Sequence, residues 1–138
     1  METKQLGILG EDTAVKYLKE HGYKILDRNF RYKGYGELDI VAKKSEDLAF
    51  IEVKTRLKSS NDSNYAPENN ITYFKQKQLI KLAKIYLAKN KIPIDTSWQI
   101  DIIAIEIPQE SAFDRRRRSA FDQRIKIRHI EQAIQDIY

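Results

Sequence analysis

Gly36-Glu37-Leu38-Asp39-Ile40-Val41-Ala42, followed after the polar link Lys44-Ser45-Glu46-Asp47 by Phe50-Ile51-Glu52-Val53-Lys54-Thr55-Arg56, is the stretch on which the fold turns. Each half alternates in the strand manner and the link is turn-like, so together they predict an antiparallel hairpin. If the chain reverses between Ser45 and Glu46, counting back from the turn sets Asp39 directly opposite Glu52. Residues so opposed have Cβ atoms roughly 4.5 to 5.5 Å apart on one face, close enough for two carboxylates to converge on one cation. Lys54, two residues beyond Glu52, points to that same face. Leu38, Ile40, Ala42, Ile51 and Val53 then make the opposite, core-facing side. Gathering Glu37, Asp39 and Glu52 costs repulsion unless a cation or raised pKa values relieve it. Val41 and Phe50 on the acid face imply that a helix covers part of it.

Working outward, Leu6 to His21 carries Leu6, Leu9, Ala14, Tyr17 and Leu18 at helical spacing, and Gly22 stands where a left-handed C-cap would. Glu11 lies beside that helix's buried stripe and is a candidate further acid, although its spacing also suits a plain surface glutamate. Tyr23 to Arg31 predicts a strand, and Lys33-Gly34-Tyr35-Gly36 a turn. Residues 57–71, rich in Ser, Asn and Asp, predict a flexible loop. Thr72 to Asn90 is a second helix with Leu79, Leu82, Ala83, Tyr86 and Leu87 inward and Lys77, Lys81 and Lys84 outward, closed before Pro93. Trp98 to Ile107 is nearly all apolar and predicts an interior strand. A basic insert, residues 108–124, contains Arg115, Arg116, Arg117 and Arg118, flanked by a repeated Ser-Ala-Phe-Asp. Ile125 to His129 suits a last strand and Glu131 to Ile137 a short helix. The whole predicts one α/β domain over residues 1–138.

The 138 residues carry a net charge of +5 and no cysteine, which excludes disulfides and thiolate zinc sites. No run reaches the length of a membrane span, and the first residues lack the order of a signal peptide, so a cytoplasmic protein is expected. Positive charge is concentrated in the second helix (Lys75, Lys77, Lys81, Lys84) and in the arginine run. Both suit phosphates, and both equally suit a solvated surface. With Arg31, Arg56 and the loop residue Tyr65, these are the expected nucleic-acid contacts. Tyr65 is the better stacking candidate, while Tyr73, Phe74 and Tyr86 are expected in the core. His21 and His129 suit capping or surface roles, and Asp101 suits a buried structural acid, with a place beside the site through an adjacent strand as the alternative.

Two carboxylates and a lysine suit phosphodiester hydrolysis. Mg²⁺ or Mn²⁺ takes oxygen ligands and keeps several waters, so Asp39, Glu52 and a backbone carbonyl from Val53 suffice. A lysine such as Lys54 orients the attacking water or offsets charge on the phosphate. The Glu-x-Lys triplet is weak alone, since ten glutamates and sixteen lysines produce about one by chance. Its weight comes from the order: an acid on a helix, Asp39 on a strand, Glu52 and Lys54 on the next, then a basic helix.

In that order the chain resembles the PD-(D/E)xK nucleases of the restriction-endonuclease-like fold, including the small archaeal Holliday junction resolvases. It is more closely similar to the bacterial YraN family, an uncharacterised, endonuclease-like group. The resemblance rests on Gly10-Glu11, Asn29-Phe30-Arg31, the two hairpin segments, Trp98 to Ile105 and Arg128-His129-Ile130-Glu131. It implies a mixed central sheet of four to five strands flanked by helices, with Asp39 and Glu52 as metal ligands, Lys54 as the catalytic lysine and Glu11 as auxiliary acid. It implies nucleic acid, foremost DNA, as partner. Kinship with junction resolvases leaves room for a homodimer, though no segment announces an interface. Leu38 stands where the superfamily's naming proline would be, and the arginine run lies outside the pattern. The competing reading is a binding or partner-recruiting module on the same fold with little or no hydrolysis.

Overall fold

The computed structural model describes residues 3–58, 71–109 and 124–135. They form α1 (Thr3–Glu20), β1 (Lys24–Arg31), β2 (Glu37–Lys44), β3 (Asp47–Lys58), α2 (Tyr73–Lys89), β4 (Trp98–Pro108) and β5 (Lys126–Ile134). The strands lie in one sheet in chain order. All neighbours are antiparallel except β3 and β4, whose parallel pairing needs a crossover that contains α2. This mixed five-stranded sheet with its two helices is consistent with the restriction-endonuclease-like architecture expected from sequence.

The helices cover opposite faces. Ala14 and Leu18 of α1 pack on Ile40, Ala42, Ile51, Ile103 and Ile105. Leu79, Leu82, Ala83 and Tyr86 of α2 pack on Val41, Phe50, Ile100 and Ile102. β4 lies between β3 and β5 and is buried on both faces, which explains its unbroken apolar run. α1 crosses β3 with its backbone nearly touching: a Cβ on Gly10 would stand 1.8 Å from Thr55 Oγ1. Only glycine permits that approach. At the other end Gly22 adopts φ +88°, and Tyr23 N–H donates to Leu18 O, closing the helix as its sequence predicts. Thr72 caps α2, its Oγ1 accepting from Lys75 N–H at 3.1 Å.

Four expectations change. The C-terminal helix does not form among the described residues, because β5 continues through Ile134. Ile130 pairs with Ile102 and Ile134 with Ile100, so Glu131, Gln132 and Ala133 together oppose Asp101. Gln132 takes φ +51° in this bulge. The irregularity brings Ile130, Ala133 and Ile134 onto one cluster, imitating helical spacing in a strand. Secondly, Leu38 packs on the α2 side rather than with Ile40. It sits next to Asp39 where Asn29, left-handed at φ +55°, falls between the pairs Arg28↔Ile40 and Phe30↔Leu38 and interrupts the pleat. Thirdly, Leu57 and Lys58 extend β3 against Ile107 and Pro108, and Ile71 is core, which narrows the predicted loop from both ends. Pro108 closes β4 and Arg124 lies in a turn before β5, while residues 59–70 (with Tyr65) and 110–123 (with Arg115 to Arg118) lie outside the described residues. Lastly, Tyr73 and Phe74 are 56% and 75% exposed in the first turn of α2, whereas Tyr86 is core as expected.

Candidate metal centre

The β2–β3 ladder runs from Lys44↔Asp47 to Ile40↔Ile51 in the register predicted from the turn, and stops there. Asp39 and Glu52 are therefore not a ladder pair. They flank a fork, and Val53 N–H donates to Asp39 Oδ2 at 2.8 Å. The carboxylate has taken the place of a backbone acceptor where the strands part. Both acids are nearly buried, at 9% and 8% exposure.

Glu11, brought to β3 by the Gly10 crossing, joins them. Oxygens of Glu11, Glu37 and Asp39 lie within 4.8 Å of one another. Burial, and after it the Glu52 carboxylate, push Asp39 up to about 8, against the opposing Val53 hydrogen bond; Glu11 adds to the rise, and a hydrogen bond that protonated Asp39 donates to Glu37 favours the protonated form. Burial also raises Glu52, moderated first by Lys75 and then by Lys54. Burial raises Glu11, moderated by Asn29 and Arg28. Glu52 Oε2 is buried without a hydrogen-bond partner among the described residues. An orphaned buried acceptor costs on the order of 1–3 kcal/mol, more when charged. An all-oxygen donor set with surplus negative charge and an unused buried oxygen fits a hard divalent cation.

The expected phosphate contacts divide. Lys75 Nζ stands 4.0 Å from Glu52 Oε1, inside the site rather than beyond it. Arg31 Nε donates to Glu37 Oε2 at 2.7 Å, at the site's edge. Arg56 Nη2 donates to Glu106 at 3.2 Å, which ties β3 to β4. Lys77 and Lys81 lie over the Tyr73 and Tyr35 rings, and Lys84 is exposed on α2. Val53, expected to lend a carbonyl, is placed at the site by its N–H. Two residues without a sequence-assigned role also belong here. Glu37 is one of the clustered acids. Asn29, with its amide nitrogen facing the acids, donates to Glu11 Oε1 at 3.2 Å and Glu37 Oε1 at 3.0 Å. Its signal was faint: asparagine is among the few residues that tolerate a left-handed backbone.

A second buried acid behaves differently. Asp101, fully buried, faces α1 and has both oxygens engaged: His129 Nε2 lies 2.7 Å from Oδ2, and Gln132 N–H and Gln99 Nε2 each donate to Oδ1 at 2.9 Å. His129 Nδ1 meets the Tyr17 hydroxyl at 3.1 Å. His129, expected at the surface, is thus an interior link between β5, β4 and α1. Asp101, His129 and Glu131 offer atoms close enough for a metal, yet Asp101 and His129 are already committed to one another.

Residues 10–105 match the model of an uncharacterised protein family, UPF0102. The chain is 44% identical to a UPF0102 protein of Geobacter metallireducens over 106 residues, covering 76% of this chain and 82% of that one. It is also 44% identical to one of Campylobacter hominis, covering 73% and 83%. A UPF0102 protein of Roseiflexus castenholzii is 36% identical over 132 residues, 96% of this chain and 94% of its own.

Proposed function

We propose that this chain, which belongs to the uncharacterised protein family UPF0102, is a metal-dependent nuclease of the PD-(D/E)xK type that hydrolyses phosphodiester bonds in nucleic acid. One observation carries the reading. Where the β2–β3 ladder ends, two nearly buried carboxylates are left with raised proton affinity and an oxygen unpartnered among the described residues, a state that a divalent cation relieves. Asp39 and Glu52 would hold Mg²⁺ or Mn²⁺, with Glu11 and the Val53 carbonyl as further oxygen donors. When bound, such an ion lowers the pKa of its water and offsets charge on the phosphate.

The chain's own groups do the rest. Lys54 follows Glu52 by two residues on β3 and its charge already acts on that carboxylate; it neutralises charge growing on the phosphate oxygens or orients the attacking water. Glu11 and Glu37, tied together by Asn29, fix the outer wall of the acid cluster. The Val53 N–H holds Asp39 in one orientation, so the acid enters the site already positioned.

One observation favours the second reading, a binding module without hydrolysis: Lys75 lies 4.0 Å from Glu52, where an ammonium already offsets part of the charge a metal would meet. The test is a panel of labelled duplex, single-strand, flap and four-way-junction DNA and RNA with Mg²⁺ or Mn²⁺. Asp39→Ala and Lys54→Ala are each expected to lower metal-dependent cutting at least about 10²-fold. Cutting that survives both substitutions would put the site elsewhere. No cutting by the wild type, with salt-sensitive binding retained, would favour the binding module.

A further inference from the structure

The first turn of α2 holds Lys75 against Glu52, and beside it the same turn exposes Phe74. A phenylalanine 75% exposed next to a charged site is not used by the core: the α2 residues of that cluster are Leu79, Ile80, Leu82, Ala83 and Tyr86, with Leu87 packed against it. From this point a line of cations runs along the helix surface, each braced by an aromatic ring. Lys77 Nζ lies 4.8 Å from the Tyr73 ring centre, and Lys81 Nζ lies 3.8 Å from that of Tyr35. Tyr35 in turn stacks on Tyr32, with ring planes 5° apart. Lys33 and Lys89 both stand over Tyr32, at 5.2 and 5.3 Å. Gly36, at φ +100°, lets this turn lie close against α2 at Gln78.

Rings under the ammonium groups narrow the directions in which long lysine side chains wander, so the charges are presented as a track. The negative charge lies at one end of it, in the acid cluster. A row of positioned cations with an open ring where it meets the acids matches a polyanion whose repeat includes a flat, stackable group. Sequence-independent binding of unpaired strands has these two parts, a backbone-following positive surface and rings that accept bases. A base inside a duplex already has both faces covered and cannot use Phe74.

We infer that the partner of this surface is an unpaired strand of nucleic acid, one of whose bases stacks on Phe74 while its phosphates follow Lys77 and Lys81 along α2 away from the acid cluster. The inference rests on the nuclease reading for its direction and narrows it to substrates with a single-stranded segment at the cleavage point. Its binding part stands without hydrolysis.

The experiment is fluorescence anisotropy with the full chain and labelled single-strand and duplex DNA of equal length, in EDTA so that no cutting occurs. A 2-aminopurine scan along the single strand reports stacking. Wild type is expected to bind the single strand more tightly and to change the fluorescence of one or two adjacent positions. Phe74→Ala should weaken single-strand binding about tenfold and leave duplex binding alone, and Phe74→Trp should restore the single-strand preference. Lys77→Ala and Lys81→Ala should weaken binding of both forms and flatten the salt dependence. Equal affinity for single strand and duplex, or a Phe74→Ala protein that keeps its preference, overturns the inference while leaving the nuclease reading intact. Loss of metal-dependent cutting in Asp39→Ala with the Phe74 effect unchanged is the expected separation of the two. A surface that binds an acidic peptide as tightly as the single strand also overturns it.

Discussion

Two buried acids in one sheet, on strands that flank β3 from either side, have opposite surroundings. Asp101 on β4 is surrounded by donors, from His129, Gln132 and Gln99, and both its oxygens are used. Among the described residues, Asp39, where β2 and β3 part, has a single donor, the Val53 N–H, and faces further carboxylates, while its neighbour Glu52 keeps a buried oxygen without a partner. Buried polar groups in folded proteins are nearly always satisfied, so the first acid reads as architecture. The second reads as a place prepared for something the chain does not itself supply. Asp101 joins β5 to β4 and, through His129, to α1; Asp39 joins nothing that a backbone carbonyl would not join equally well.

Breaking the first network should have the largest effect on stability. Asp101→Ala strands the His129 ring and the Gln132 N–H in the interior and is expected to cost about 3 kcal/mol in urea unfolding, because removing one partner of a buried network leaves the others desolvated. The contrast between the two acids fails if Asp39→Ala costs as much in the absence of metal.

Supplying a cation should sharpen the contrast next. At a Mg²⁺ or Mn²⁺ concentration 100 times its dissociation constant, wild type gains about 2.7 kcal/mol, a rise of several degrees in Tm. Asp39→Asn and Glu52→Gln should show little of that rise, and Asp101→Asn most of it. An unchanged melting curve in wild type across millimolar Mn²⁺ would remove the main support for a metal centre.

The smallest effect lies in the pH dependence of the metal-free protein. Asp39 has its pKa raised to about 8, against roughly 3.9 in the unfolded chain. Between those values the folded state holds a proton that the unfolded state has lost, so stability falls as pH rises through this window and levels off above it. Asp39→Asn, which cannot ionise, should flatten that decline, which in wild type amounts to about 1 kcal/mol between pH 7 and pH 8. A wild-type stability that rises from pH 5 to pH 8 would mean that the acids are ionised and already neutralised.

Much of this contrast is legible in the residues. The turn at Ser45-Glu46 fixes the register of Ile40 to Lys44 against Asp47 to Ile51, because a hairpin's pairing follows from where it reverses. Alternation marks the faces of β3, and the continuous apolar run marks β4 as interior. What escaped the reading depends on irregular backbone. Counting residues assumes an unbroken pleat, so it made Asp39 and Glu52 a ladder pair and placed Leu38 with Ile40; left-handed Asn29 and the end of the ladder undo both. The bulge at Gln132 lets a strand carry apolar residues at helical intervals, and its cause, a buried Asp101 thirty-one positions earlier, is not local. Asn29 acquires its place through contacts made by three separate elements, which no short window of sequence contains.

The contact between Gly10 and Thr55 serves as a datum from which the site is measured. Because the α1 backbone at Gly10 rests directly on the Thr55 side chain of β3, the helix cannot slide or roll there without a collision, and Glu11 sits one residue from that fixed point. Length added before Gly10 leaves the gauge untouched, which makes the N-terminal turns of α1 the tolerant place to attach a tag or a fused domain. A single residue inserted between Gly10 and Ala14 turns Glu11's neighbours by about 100° around the helix and takes the whole acid cluster out of calibration.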